Sequence, residues 1–120
     1  MKVLSVPMTV VETPGFLREA AADMTDEERT EVIAFLAGSP EAGDLVPGTG
    51  GGRKFRWRAQ GRGKRGGVRV IDSCHNESLP IFLFNVFAKN EKADLKRAEQ
   101  NEMKMLLPRL IAGYQKRMLP

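Results

Sequence analysis

Residues 81–88 restrict the fold more than any other segment, because seven of these eight positions are apolar. The run reads IFLFNVFA, and Asn85 is its single polar position. A short continuous apolar run is typical of a β-strand covered on both faces, whereas a half-exposed strand alternates apolar and polar residues. The sequence therefore predicts a central strand here, in a sheet that is covered on both faces.

The neighbouring segments predict the rest of this sheet. Residues 38–52 are rich in Gly and Pro, lack periodicity and are interpreted as a loop within the domain. Turn-like segments at 60–67 and 73–79 separate the strand candidates, so an antiparallel meander is expected. The candidate strands are Arg53–Ala59, Val68–Asp72 and Pro80–Ala88.

Helices are predicted on either side of these strands. A possible first strand at Thr9–Glu12 is followed by Thr13-Pro14, which suits an N-cap followed by Pro at the first helical position. Thr25 and Glu28 have capping-box spacing, so a second helix should run to about Ala37. A C-terminal helix should begin near Asp94 and bend or end near Pro108.

These elements predict an α+β fold: a small antiparallel sheet with two N-terminal helices on one face and a C-terminal helix. The chain has 120 residues, which suits one domain spanning residues 1–120. No apolar run approaches the roughly 20 residues that cross a bilayer. A cytoplasmic protein without membrane contact is therefore expected.

The positive charge is concentrated in one segment. Residues 53–69 carry eight Lys and Arg side chains and no acidic residue, a balance of +8. Residues 1–52 have a balance of −6, and residues 70–120 have a balance of +2. Such a local positive potential favours polyanions, nucleic acid above all. An ordinary solvated surface is less expected, because it intersperses both signs of charge.

Strand alternation sorts these charges by face. In residues 53–59, Lys54, Arg56 and Arg58 oppose the face that carries Phe55 and Trp57. Arg69 alternates in the same way with Val68 and Val70. If the two strands pair, these four cations should share one exposed face. By the same alternation, Asp72 points toward the core unless the strand has already ended. Because a buried, unpaired carboxylate is costly, we expect it at a solvated strand end or paired with a cation.

Other motifs give weaker signals. Residues 61–66 match GxGxxG, but a strand rather than a helix follows, so a flexible hairpin loop is the better interpretation. Cys74 and His75 are adjacent and diverge in a strand, which argues against nucleophilic catalysis. Asp72, His75 and Glu77 form a cluster of low specificity for metal. We expect neither a metal site nor a cofactor.

Three stretches carry a resemblance to the RelE/HigB-like toxins of type II toxin–antitoxin systems. The resemblance covers residues from about 10 to 107. The stretches are RKFRW at 53–57, GKRGGVRVI at 63–71 and FAKNEKADL at 87–95. The resemblance implies a RelE-like fold and a metal-independent endonuclease that cuts messenger RNA in the ribosomal A site. It also implies a cognate antitoxin as partner, with a helix-turn-helix protein expected.

The resemblance implies the site residues as well. The catalytic residues are Lys54, Arg56, Arg69 and Lys89. Arg56 and Arg69 would stabilise the phosphate, and Lys54 or Lys89 would transfer a proton if a neighbour lowers its pKa. Further RNA contacts are expected from Arg53, Arg58, Arg62, Lys64, Arg65 and Lys92. Two departures from relatives are Lys96, near a place where some have tyrosine, and Asp72-Ser73, where aromatic residues are frequent.

Two other functions use the same basic residues. The first is a non-catalytic RNA-binding or ribosome-binding module, because cations bind phosphates whether or not they cut them. The second is a docking surface for an acidic protein segment, which in a toxin would belong to the antitoxin. Composition alone does not separate these possibilities.

Overall fold

A computed structural model describes residues 7–58, 67–89, 92 and 94–118 of the chain. Within this part, five strands and three helices form one mixed α+β structure. In chain order they are β1 (Val10–Glu12), α1 (Pro14–Asp23), α2 (Asp26–Gly38), β2 (Asp44–Leu45), β3 (Gly52–Trp57), β4 (Val68–Ser73), β5 (Ile81–Ala88) and α3 (Arg97–Met118).

The strand order in the sheet is β1-β5-β4-β3-β2. The meander β3-β4-β5 is antiparallel, as predicted. The prediction of a fully antiparallel sheet was wrong at one edge, where β1 runs parallel to β5. The loop prediction for residues 38–52 missed β2, which pairs with Arg53 and Lys54. Two residues carry no detectable alternation, so only tertiary pairing defines this strand.

The strand β5 is covered on both faces, as its composition predicts. On one face, called here the core face, Phe16, Val32 and Leu36 of α1 and α2 pack against the sheet. On the other, called the α3 face, Met103 and Leu107 of α3 cover Phe82, Phe84, Phe87 and Ile71. Each face therefore has its own apolar cluster.

The two N-terminal helices begin where the sequence predicts. The Thr13 hydroxyl accepts the Phe16 amide at the start of α1. At the start of α2, the Thr25 hydroxyl accepts the Glu28 amide at 3.1 Å, and the Glu28 carboxylate accepts the Thr25 amide at 2.8 Å. Both N-caps satisfy backbone donors that the helix leaves without partners.

The C-terminal helix differs from its prediction in two ways. It begins at Arg97 rather than near Asp94, and it continues through Pro108 to Met118. A proline inside a helix removes one backbone hydrogen bond but does not always end the helix. No helix in the described ranges is long and apolar enough to cross a membrane.

Asp72 departs from its prediction. The strand β4 continues to Ser73, so Asp72 is not at a solvated strand end and has no exposed surface. Both carboxyl oxygens are buried without a hydrogen-bond partner. Burial raises the pKa of Asp72 to about 7, and the positive charge of Arg53, its partner in the β3–β4 register, lowers it only in part.

Candidate nucleic-acid interface

The β3–β4 register brings the basic side chains together. Arg56 lies directly opposite Arg69, and Lys54 lies opposite Ile71. Arg69 in turn lies opposite Phe87 of β5. Since residues directly opposite share a face of the sheet, these cations project on the α3 face. We call Lys54, Arg56 and Arg69 the cationic group.

The placement of Arg56 opposite Arg69 works against stability. Like charges that face each other across two strands repel, and nothing in the fold requires cations at these two positions. An anion held between the two guanidinium groups would relieve the repulsion. The Nε of Arg69 is buried and has no hydrogen-bond partner, so this side chain retains an unused donor.

The members of the cationic group differ in exposure. The side chain of Arg56 is exposed, whereas Arg69 is half-buried. Lys54 keeps a quarter of its side-chain surface exposed. The prediction of one shared face is confirmed for these three residues, but the expectation of full exposure is wrong for Lys54 and Arg69. The contact of Asp94 with Lys54 accounts for the difference at Lys54.

Asp94, which follows β5 in the chain, forms an ion pair with Lys54. The Lys54 Nζ donates to Asp94 Oδ2 at 2.6 Å, and the Leu95 amide donates to Asp94 Oδ1 at 2.8 Å. Burial raises the pKa of Asp94, but these two hydrogen bonds and the charges of Lys54 and Arg69 outweigh it and lower the pKa overall. The carboxylate is therefore ionised at neutral pH.

The two lysines after β5 lie differently from each other. Lys89 is half-buried, and its amide donates to the Gly67 carbonyl at 3.3 Å, next to the start of β4. Lys92 donates to both carboxylate oxygens of Glu99 at 2.7 Å and lies 4.7 Å from the centre of the Phe87 ring. The Lys92 ammonium is therefore paired with Glu99 of α3, so it is less available to a ligand than its sequence position predicts.

Of the remaining predicted RNA contacts, the structure describes Arg53 and Arg58. Arg53 has the parity of Phe55 on the core face, and its guanidinium donates to the carbonyls of Glu41 and Gly43. The structure thus separates Arg53 from the cationic group. Arg58 follows β3 and is exposed. Arg62, Lys64 and Arg65 lie outside the described residues.

Sequence reasoning missed Asp94 and Glu99 as neighbours of the basic residues. Both are acidic residues after β5 that pair with lysines, and the pKa of Glu99 is lowered because hydrogen bonds from Lys92 and the Lys96 amide outweigh its burial. Alternation cannot detect such pairs, since Lys54 and Asp94 are 40 positions apart. The sequence offered one signal for such pairs, namely acidic residues that follow soon after the lysines of the predicted basic site.

The other groups considered for catalysis are unsuited to it. Burial raises the pKa of the Cys74 thiol, and the charges of Asp72 and Glu41 raise it further. A thiol in such surroundings is a poor nucleophile. A separate cleft of about 380 Å³ opens between the start of α1 and α3. Its acidic residues, Glu99 and Glu102, disfavour a phosphate there.

The chemistry available on the α3 face follows from these residues. Two guanidinium groups and one ammonium group can neutralise a phosphodiester, and the guanidinium geometry suits two-point contact with phosphate oxygens. Neighbouring side chains on one strand face are roughly 6.5–7 Å apart, a spacing that lets Lys54 and Arg56 contact successive parts of one nucleic-acid strand. The site therefore suits a single-stranded polyanion.

Comparisons with known proteins identify the family and the fold. Residues 8–119 match the family model described as the RelE toxin of the RelE / RelB toxin-antitoxin system. A solved structure of a mutant of the E. coli toxin RelE in the free state is similar to this fold, with a TM-score of 0.53. The two sequences are 16% identical, and the match covers 94% of this chain and 99% of that one.

Proposed function

Because the chain belongs to the RelE toxin family, we propose that it cuts messenger RNA in the ribosomal A site and so inhibits translation. Membership of this family identifies the chain as the toxin of a toxin–antitoxin system, and the proposal adds the reaction. The observation that carries the finer proposal is the unfavourable opposition of Arg56 and Arg69, whose repulsion a bound phosphodiester would relieve.

The proposed reaction uses the RNA's own 2′-hydroxyl as nucleophile. The 2′-oxygen attacks the adjacent phosphorus, the P–O bond to the 5′-oxygen breaks, and a cyclic phosphate and a free 5′-hydroxyl result. Arg56 and Arg69 stabilise the negative charge that develops on the phosphate oxygens. Lys54 and Lys89 are the candidates for moving the two protons, one from the 2′-hydroxyl and one to the 5′-oxygen.

The ion pair with Asp94 favours one division of these roles. A carboxylate beside Lys54 suits a charged ammonium, which can donate a proton to the leaving oxygen but cannot accept one. Lys89 lies at the end of β5, near Gly67. We therefore assign the donor role to Lys54, which leaves Lys89 as the candidate for the acceptor role. A cognate antitoxin is the protein partner, and the cytoplasm is the proposed site of action.

A translation extract tests the proposal directly. Wild-type protein should create new 5′ ends within translated messages, and Arg69→Ala should remove them while the protein stays folded. Arg117→Ala is the matched control, because Arg117 is exposed near the end of α3, away from the cationic group. If translation stops without new message ends, the protein blocks ribosomes by binding, and the nuclease proposal is wrong.

A further inference from the structure

The contacts of Asp94 define a role for it within the proposed reaction. We propose that Asp94 is a positioning residue, which holds the Lys54 ammonium at the RNA phosphate and is itself held by the core beneath α3. The proposal rests on the proposed function, since it concerns how Lys54 works in RNA cleavage. It is carried by three features of the α3 face.

The first feature is the conformational freedom of Lys54. A lysine side chain has four rotatable carbon bonds, and fixing them costs side-chain entropy. Lys54 Nζ lies 2.6 Å from Asp94 Oδ2, so the carboxylate selects one position for the ammonium before any RNA arrives. An ammonium has three donors, and two remain for the substrate.

The second feature is the anchoring of Asp94 itself. Its other oxygen accepts the Leu95 amide at 2.8 Å. Leu95 is 5% exposed and belongs to the apolar cluster with Ile71 and Phe87. The carboxylate is thus held by two hydrogen bonds, one from Lys54 and one from the amide of a buried residue, while 41% of its side-chain surface stays exposed. If the substrate phosphate had to displace Asp94 from Lys54, we would expect the carboxylate to lack its second hydrogen bond, the one from the Leu95 amide.

The third feature is the electrostatic balance of the site. Both Lys54 and Arg69 stabilise the ionised carboxylate. One negative charge among these cations reduces their mutual repulsion, and it leaves Arg56 as the most exposed cation of the group. Asp94 therefore keeps Lys54 and Arg69 compatible in the free protein.

Enzyme kinetics on programmed ribosomes separate positioning from other roles. We expect Asp94→Ala to lower kcat about 10- to 100-fold, in line with the effect of misplacing a catalytic group, and to change KM less than about twofold. Asp94→Asn should also lose activity, because its single amide oxygen can replace only one of the two carboxylate oxygens that accept from Lys54 and Leu95. Glu102→Ala, which removes an exposed acidic side chain of α3, should behave like wild type.

A double-mutant cycle shows whether Asp94 acts through Lys54. In the Lys54→Ala background, Asp94→Ala should cause no further loss of kcat. Equal losses in both backgrounds would overturn the proposal, as would tighter RNA binding by Asp94→Ala, which would identify the carboxylate as a competitor of phosphate. Wild-type protein that does not cut would instead contradict the proposed function.

A spectroscopic measurement tests the same contact without any activity. The carboxyl carbon of Asp94, followed by NMR, should titrate at a higher pH in Lys54→Ala than in wild type, because the favourable partner is lost. Thermal unfolding of each variant provides the control for folding. An unchanged titration would show that the ion pair does not form in solution, and the positioning role would then be rejected.

Discussion

The two faces of the sheet differ in how completely they are covered. On the core face, α1 and α2 bury Phe55, Val68 and Val70, and the carboxyl group of Asp72 is fully enclosed there. On the α3 face, the apolar cluster gives way to Lys54, Arg56 and Arg69. The comparison shows that adjacent residues of β4 differ in role. Val70 packs in the core and stabilises the fold, whereas Arg69 places a positive charge on the α3 face.

The largest expected effect is a loss of stability caused by a substitution on the core face. Phe16 has no exposed surface and lies in the core-face cluster, so Phe16→Ala should destabilise the protein by about 3–5 kcal/mol. Urea unfolding followed by circular dichroism measures this loss. A loss below about 1 kcal/mol would mean that the core face is not the main source of stability.

The opposite pattern is expected on the α3 face. Arg56→Ala should lower cleavage about 10²- to 10³-fold, the usual effect of removing a donor to a developing oxyanion. Because the side chain is exposed, the free energy of unfolding should change by less than about 0.5 kcal/mol. Parallel cleavage and unfolding assays on one preparation check both. A variant that loses stability instead would assign Arg56 to the fold.

The buried carboxyl on the core face makes stability depend on pH. Below about pH 4, Asp72 is protonated in both states, whereas between about pH 4 and pH 7 the folded protein keeps a proton that the unfolded chain releases. Stability should therefore fall as pH rises through this window, by a few kcal/mol at most. Asp72→Asn should be less dependent on pH there and more stable than wild type at pH 8, as measured by thermal melts at several pH values.

This prediction depends on where β4 ends, which sequence patterns locate poorly. The alternation around Val68 and Val70 correctly placed Asp72 toward the core, but only the structure shows that the strand continues and encloses it. Local signals at Thr13, Thr25 and Glu28 gave the helix starts, because capping involves residues three apart. These parts of the fold could be predicted because each depends on neighbours in sequence.

Two further features that the sequence did not predict depend on contacts between distant residues. The parallel pairing of β1 with β5 joins Val10 to Ile81, and the ion pair joins Lys54 to Asp94. Neither leaves a periodic pattern. The cationic group itself followed from alternation in two strands, whereas the partial burial of Lys54 depends on its contact with Asp94, which no local rule specifies.

A smaller effect sharpens the comparison in RNA binding. Each phosphate contacted by a cation releases counterions, and the salt slope changes by about 0.7 per contact for single-stranded nucleic acid. Arg56→Ala should reduce the slope of log Kd against log salt by about this amount, and Arg53→Ala should leave it unchanged, since Arg53 bonds to backbone carbonyls on the core face. Fluorescence anisotropy with a short RNA measures both, and equal slope changes would assign RNA binding to both faces.

Cleavage of one defined message, compared on and off the ribosome, tests the central claim most directly. Purified ribosomes are programmed with a message that has a single codon in the A site, and the same RNA is presented alone at equal concentration and salt. The account predicts a cut at that codon on the ribosome, little cutting of the free RNA, and no cut by Arg69→Ala in either case. Binding to the ribosome without a cut, or equal cutting of free RNA at physiological salt, would contradict it.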